Sequence, residues 1–305
     1  MTHVLQSDIW KEFQEALGKT TITRSGEGWH YLALVERGKI NTRIYTPYGP
    51  IANSPAAFTE AVASLTEEAK KHDATFIRIE PLQAVTEKEL TTLGFLRAHK
   101  IQPEATSIVA LDKPEDELIA HMAASNRNLY RTYAKKGIAI QSTSDPAAIT
   151  TLTSLLHDVA ASTGMRPQSD TYLSAQAGVF LQAGAGKIYT ATFAGNPIAA
   201  ALVYDYAGTR YYAHAASTYE HRKLGAGTAI VSKICIDAKK DGLEYFDLYG
   251  IWPNATPGTS QYGITKFKRS YGGTDTIYNG TWELPVRPLN YKFYTLLAKL
   301  LRRTL

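Results

Sequence analysis

Cysteine is almost absent from this chain. Its 305 residues hold one, Cys235, which removes intramolecular disulfides, iron-sulfur clusters and multi-thiolate zinc sites and suits a reducing compartment. Long apolar runs are missing too: no window approaches the roughly 20 apolar residues that cross a bilayer, and the best run, Ile198 to Tyr204, has the length of a strand. Met1 to Phe13 lack the basic patch and apolar core of a secretion signal, so a soluble, cytoplasmic protein is expected. The eight His residues contain no H-E-x-x-H pair, and neither a G-x-S-x-G elbow nor a Walker lysine loop occurs. No metal site and no covalent nucleophile are therefore expected. Cys235 sits in an apolar helical stretch and reads as a small core residue.

What is present suits a globular protein. Hydrophobic residues make up 44% and charged residues 20%, enough apolar surface to offset backbone ordering, and the length favours two domains or one large α/β domain. The net charge of +5 equals the contribution of Arg287, Lys292, Lys299, Arg302 and Arg303, which follow Glu283 with no acidic residue among them. The rest of the chain is neutral, so basicity alone does not indicate nucleic-acid binding.

Periodicity predicts a short helix over Asp8 to Leu17, then a hairpin of Trp29 to Val35 and Arg43 to Thr46 turning near Gly38. Ala57, Phe58, Ala61, Val62, Leu65 and Ala69 fall at helical spacing ahead of the strand Phe76 to Glu80. Thr86 and Glu89 have capping-box spacing, and Thr106 to Leu111 reads as a strand. Pro114 with Glu115, Asp116 and Glu117 predicts one helix running to Gly137. Ser144-Asp145-Pro146 starts another, with Ile149, Leu152, Leu156 and Val159 on one face. A helix from about Thr171 precedes a meander of Lys187 to Phe193, Ile198 to Tyr206 and Arg210 to Ala216. A helix over Leu224 to Lys240, the strand Tyr245 to Tyr249, a long loop and the strand Tyr278 to Glu283 follow. The tail carries Leu296, Leu297, Leu300 and Leu301 at helical spacing, a face suited to packing on the protein. Ala69-Lys70-Lys71 before one strand is echoed by Ala238-Lys239-Lys240 before another, and each half reads β, β, α, β. An α/β fold of two similar units is expected.

Three features are candidates for chemistry. Arg222-Lys223-Leu224-Gly225-Ala226-Gly227 lies between the meander and a helix, where small residues let N–H groups approach a phosphate. It is the R-x-x-G-x-G pattern of acetyltransferases that use coenzyme A, and equally a tight strand-to-helix turn. Arg127, Arg131 and Lys135 recur every fourth residue, a stripe that suits either phosphate or solvent. Gln261 to Gly273 combines three cations, three aromatics and three glycines without a carboxylate, where Lys can stabilise an oxyanion or grip a phosphate.

Gln102-Pro103-Glu104-Ala105-Thr106, Ser107 to Leu111, and Glu115 to Ile138 with Arg127, Ala134, Gly137 and Ile138 resemble the Fem family of nonribosomal peptidyltransferases. So do Phe246-Asp247-Leu248-Tyr249-Gly250-Ile251 and, after it, Gly263-Ile264 and Phe267-Lys268-x-x-Tyr271-Gly272-Gly273, the most specific segment. Tyr48-Gly49-Pro50-Ile51 and Ile77-Arg78-Ile79-Glu80-Pro81 extend the resemblance over nearly the whole chain.

The resemblance implies two tandem acetyltransferase-like (GNAT, acyl-CoA N-acyltransferase type) units packed together, without the coiled-coil arm of some relatives. The units are expected over 1–141, joined by a C-terminal helix 286–305, and over 142–285. It also implies transfer of an amino acid from aminoacyl-tRNA to an amino group on the stem peptide of a peptidoglycan precursor, UDP-linked or lipid-linked. The tRNA is then a co-substrate, no cofactor is used, and the protein is expected to be a monomer. Lys268, with Phe267 beside it, falls where the family places a lysine at the acyl-transfer centre. Glu80 replaces the aspartate usual in the family's I-D-P segment and is expected to orient or deprotonate the acceptor amine. Arg166, Tyr172 and Tyr212 lie in regions matching the precursor-binding cleft, and Tyr249, Arg127 and Arg131 are added as substrate contacts. Tyr48 stands where many relatives carry Arg. The basic tail is a candidate for touching tRNA, a lipid-linked substrate or the inner membrane surface. Two alternatives remain open: an N-acyltransferase that uses coenzyme A, and a non-catalytic tRNA- or membrane-binding protein on the same scaffold.

Overall fold

The structure, a computed structural model, describes residues 2–82 and 85–303. The side chains of Lys299, Leu301, Arg302 and Arg303, part of the basic tail and its leucine face, lie outside the described residues. In chain order the elements are α1 (Asp8–Ala16), β1 (Thr20–Gly26), β2 (Trp29–Arg37), β3 (Thr42–Thr46), β4 (Ile51–Ala52), α2 (Pro55–Lys71), β5 (Phe76–Ile79), α3 (Glu87–Thr92) and β6 (Leu96–Arg97). There follow β7 (Ala105–Ala110), α4 (Glu115–His121), α5 (Ala124–Thr132), β8 (Ile138–Thr143), α6 (Ile149–Thr163), α7 (Asp170–Gln182), β9 (Gly186–Phe193), β10 (Asn196–Tyr206) and β11 (Thr209–Ser217). The chain closes with α8 (Ala226–Lys240), β12 (Tyr245–Gly250), α9 (Ser260–Arg269), β13 (Thr274–Ile277), β14 (Trp282–Pro285) and α10 (Pro288–Arg303).

These elements form two compact units, Met1–Glu104 with Ile277–Leu305, and Ala105–Thr276. Each has its own sheet. The first orders its strands β1-β2-β3-β5-β14-β6 with β4 beside β2, and the second β13-β7-β12-β11-β10-β9-β8. In both, three antiparallel strands lead through a long helix to a strand parallel to the third: β3 with β5 after α2, β11 with β12 after α8. A crossover of this kind needs a helix with one apolar face against the sheet. Phe58, Ala61, Leu65 and Ala69 supply it in α2, and Ile230, Ile234 and Ala238 in α8, all at or below 1% exposure. Each fully buried branched or aromatic side chain contributes about 1.5–3 kcal/mol. The echo of Ala69 and Ala238 therefore marks equivalent helix ends.

The division between units differs from the expected 141/142. β7 pairs antiparallel with β12, Phe246 opposite Val109, so β7, α4 and α5 belong to the second sheet, although they precede its other strands. Conversely β14 pairs with β5, and Arg78 Nε donates to Glu283 Oε1 at 2.9 Å across that ladder. Within the first unit α10 is fastened by its tyrosines: Tyr291 donates to Glu283 Oε2 at 2.6 Å, and the Tyr291 and Tyr294 rings lie 5.4 and 5.1 Å from Phe76. Of the expected leucine face, Leu296 is 58% exposed and Leu297 is half-buried.

Two expected elements take other forms. The helix read as continuous from Pro114 to Gly137 is broken at Met122, whose ψ of 151° is extended, because the next N–H, of Ala123, bonds Ser270 O at 2.8 Å. Asn126 Nδ2 reaches Ser270 Oγ at 2.7 Å and locks the break. The segment read as a loop from Gln261 is the helix α9, capped by Thr259 Oγ1, which accepts from Tyr262 N. Two of its glycines serve packing. Gly272 has φ +83°, and a Cβ there would stand 2.9 Å from His121 O; one on Gly273 would meet Ser107 Oγ at 2.6 Å. Gly272→Ala is therefore expected to destabilise the second unit by about 2 kcal/mol or more, read as a lowered midpoint in urea unfolding; an unchanged midpoint would show that this approach is not needed.

Candidate functional site

The ladder between β11 and β12 covers only Thr209–Tyr211 against Tyr245–Asp247. Beyond those pairs β11 continues for six residues, and β12 leans instead on β7, with a register shift between Asp247 and Gly250. A wedge opens between parallel strands that part in this way. A cavity of about 360 Å³ lies in the second unit along the continuing part of β11, bounded by Ala199 and Ala200 of β10, Tyr212 of β11, the Arg222–Thr228 turn and Phe267 of α9. Gly225, at φ +73°, ends the turn and caps α8 without a side-chain bond. The first N–H groups of α8 thus border the cavity, at the positive end of the helix dipole. Arg222 stacks its guanidinium 3.8 Å above the Tyr219 ring.

α9 brings the acyl-transfer candidates to the end of β12. Trp252 N donates to the buried Thr265 Oγ1 at 2.9 Å, tying the loop after β12 to the helix. One turn further on, Lys268 Nζ donates to Gly250 O at 2.8 Å. Beside it lies Asp247, 3% exposed, whose Oδ1 accepts from Tyr249 N at 2.7 Å and from Thr106 Oγ1. Tyr249 takes φ +60° to present its N–H to that carboxylate. Burial pushes the Asp247 carboxyl up to about 6, against the pull of Thr106, the Tyr249 N–H and the Lys268 charge. Burial likewise pulls the Lys268 ammonium down to about 8, and the Asp247 charge resists. Phe267 is half-buried, meets Tyr271 edge-on at 5.3 Å and walls the cavity. Tyr271 is buried and donates to Thr228 O in α8, joining the two helices.

The remaining predicted residues divide into those near this centre and those with other work. Tyr212 lines the cavity, its phenol raised by burial. Tyr249 adjoins Gly250, and with Tyr172, pushed up to about 12 by burial in the first turn of α7, it adds to the burial that holds the Tyr204 hydroxyl neutral. Arg127 spends one nitrogen on the carbonyls of Ala120 and Met122, both 2.8 Å away, closing the end of α4. Arg131 on α5 and Arg166 on the loop between α6 and α7 are exposed. Among the described residues no group of three His, Cys, Asp or Glu side chains converges as a metal site would require.

Glu80 lies in the first unit, at the end of β5. It is 3% exposed. Its Oε1 accepts from Gln102 N at 2.9 Å, Thr281 Oγ1 at 2.7 Å and Ile101 N at 3.3 Å, and its Oε2 from Tyr45 OH at 2.6 Å. The carboxylate therefore clasps the 101–102 turn and the start of β14 to the strand. Tyr48 donates to Pro103 O at 2.9 Å and packs against His3 and Tyr278. The buried titratable side chain beside Lys268 that sequence reasoning left without a role is Asp247. Its signal was present, a carboxylate inside the Phe246 to Ile251 segment two residues from Tyr249.

Two sheets built on the same β-β-β-α-β order, the second with a glycine-containing turn opening its helix, define a tandem acetyltransferase-like fold. Residues 181–299 match the model of the FemAB family, which bears out the Fem resemblance over the segment that carries Lys268. Among solved structures the chain is similar to FemX (18% identity, TM-score 0.84, covering 95% of this chain and 94% of that one). It is also similar to the L-PGS of Bacillus licheniformis (13% identity, TM-score 0.58, 99% and 98%). A tandem GNAT protein from the clavulanic acid biosynthesis pathway matches at 13% identity, TM-score 0.54, 87% and 83%. At these identities the likeness is one of fold. No curated protein matches the sequence.

Proposed function

We propose that this protein is an aminoacyltransferase that moves an amino acid from aminoacyl-tRNA to the amino group of a peptidoglycan precursor's stem peptide. The observation that carries the reading is Lys268, its ammonium drawn onto Gly250 O at the parting of β11 and β12 and next in sequence to the Phe267 that walls the cavity. An aminoacyl ester is already activated, so the enzyme need supply only placement and charge stabilisation. The acceptor amine attacks the ester carbonyl carbon, the C–O bond to the ribose breaks, and the amine's proton ends on the departing ribose oxygen. Gly250 O takes one of the three donors of the ammonium, and the positive charge offsets the oxyanion of the tetrahedral intermediate. Phe267 and Tyr212 offer flat apolar surface suited to a terminal adenine, and the α8 N–H groups suit its phosphate.

Glu80, enclosed by four donors, acts in this reading as a fastener within the first unit. A second reading, transfer from an acyl-coenzyme A, is favoured by the Arg222–Gly227 turn, because that turn and the adjoining cavity suit a pyrophosphate as well as an RNA end.

The test incubates the protein with total charged tRNA and either UDP-linked or lipid-linked muropeptide precursor, then weighs the products. A precursor heavier by one aminoacyl residue, lost after ribonuclease treatment, is expected. Label arriving from acetyl-coenzyme A instead would establish the second reading, and no transfer from either donor would reject both.

A further inference from the structure

The C-terminal helix has an apolar face that the fold does not use. α10 is anchored through Tyr291 and Tyr294 onto Phe76, while Leu289, Phe293 and Leu296 are 81%, 60% and 58% exposed. At about 100° per residue these three positions fall within one stripe, about half a turn from the anchoring tyrosines. Large apolar side chains exposed singly need no explanation, but three consecutive turns of them on one helix face mark an interaction surface. Lys292 is exposed beside the stripe, and Lys299, Arg302 and Arg303 follow in the sequence with no acidic residue from Arg287 to the end.

We propose that this face of α10 docks on an anionic lipid bilayer, the helix lying in the plane of the interface. Charge selects that occupant. A second copy of the chain would bring a like-charged segment against this one, which is repulsive. RNA would satisfy the cations but leave Leu289, Phe293 and Leu296 in water, whereas a membrane surface takes the apolar stripe into its acyl boundary while its phosphates attract Lys292 and the net positive charge that the sequence carries after it. The helix has 16 residues, about 24 Å, and among the described residues no helix is long and apolar enough to cross a membrane. It therefore lies on the surface without spanning it. The inference stands apart from the acyl-transfer reading, since it concerns where the first unit is held and not what the second unit does.

Co-sedimentation of the full chain with phosphatidylcholine vesicles, with and without phosphatidylglycerol, tests it. Binding to the mixed vesicles is expected, weakening as salt screens the cations. The variant Leu289→Gln/Phe293→Gln/Leu296→Gln leaves Tyr291 and Tyr294 in place and should keep the melting temperature while losing about 30-fold or more in vesicle affinity. A second variant, Lys292→Gln/Lys299→Gln/Arg302→Gln/Arg303→Gln, should lose the preference for phosphatidylglycerol. Equal binding of wild type and the leucine variant, or no binding of wild type to anionic vesicles, overturns the proposal. So does a lipid-free dimer that the leucine variant dissolves, which would assign the face to a second copy.

Discussion

Lys268→Met is expected to lower the turnover of aminoacyl transfer about 1000-fold while leaving the protein folded. Methionine matches the length and apolar stem of lysine, so the packing of α9 on the end of β12 is preserved, and what is lost is one donor to Gly250 O and one positive charge. Preorganised donors at a developing oxyanion are each worth about 100- to 1000-fold in rate, and a whole charge in a half-buried setting belongs at the upper end. The loss should fall on kcat and kcat/KM together, because the charge interaction strengthens only as the carbonyl becomes tetrahedral. Near-normal turnover in the folded variant would remove Lys268 from the chemistry.

The acid-base state of Lys268 adds a second arm to the same test. Burial brings its ammonium down from 10.5 to about 8. If the charged form is the active one, kcat declines as pH rises through about 8, and the Lys268→Arg variant, charged throughout, loses that declining limb whatever its absolute rate. Asp247→Asn removes the carboxylate that favours the charged form, and so moves the limb to lower pH. A rising limb at the same position, in place of a falling one, would instead make the neutral amine a general base.

What could be read along the chain was set by local periodicity. The apolar faces of α2 and α8 and the parallel strands that follow them emerge from spacing alone, because each face is written within one helix and its sheet partner accepts any branched or aromatic side chain. β1 was invisible: Thr20–Gly26 buries only Ile22, so no alternation betrays it, and it is held by its register against β2. The break at Met122 depends on Ser270, a residue 148 positions away from it whose carbonyl captures the N–H of Ala123. The allegiance of β7 depends likewise on β12. At the site, the resemblance singled out Phe267 and Lys268, yet the charge relation of Lys268 with Asp247 comes from a loop that folds α9 back onto β12. Arg127 has a structural task that its place in the basic stripe did not announce: one of its nitrogens closes the C-terminus of the preceding helix.

Glu80→Ala should be the most destabilising of the candidate-site substitutions, by about 4 kcal/mol, and its effect should be on folding before chemistry. Deleting the carboxylate strands the N–H groups of Ile101 and Gln102 and the hydroxyls of Thr281 and Tyr45 around a space 3% open to solvent. Each abandoned buried donor costs about 1–3 kcal/mol, and the hydroxyls relieve part of this by rotating. Glu80→Gln separates clasp from base. Its amide oxygen still accepts from Ile101, Gln102 and Thr281, and only the contact with Tyr45 must reverse its donor. As a fastener, Glu80→Gln keeps most of the stability and most of the turnover, whereas a general base loses about 100- to 10,000-fold in rate on that change with the fold intact. Urea unfolding of both variants beside their kcat values decides it: a stable Glu80→Gln protein with turnover collapsed would return Glu80 to the chemistry, and a Glu80→Ala protein as stable as wild type would show that the four donors find partners without it.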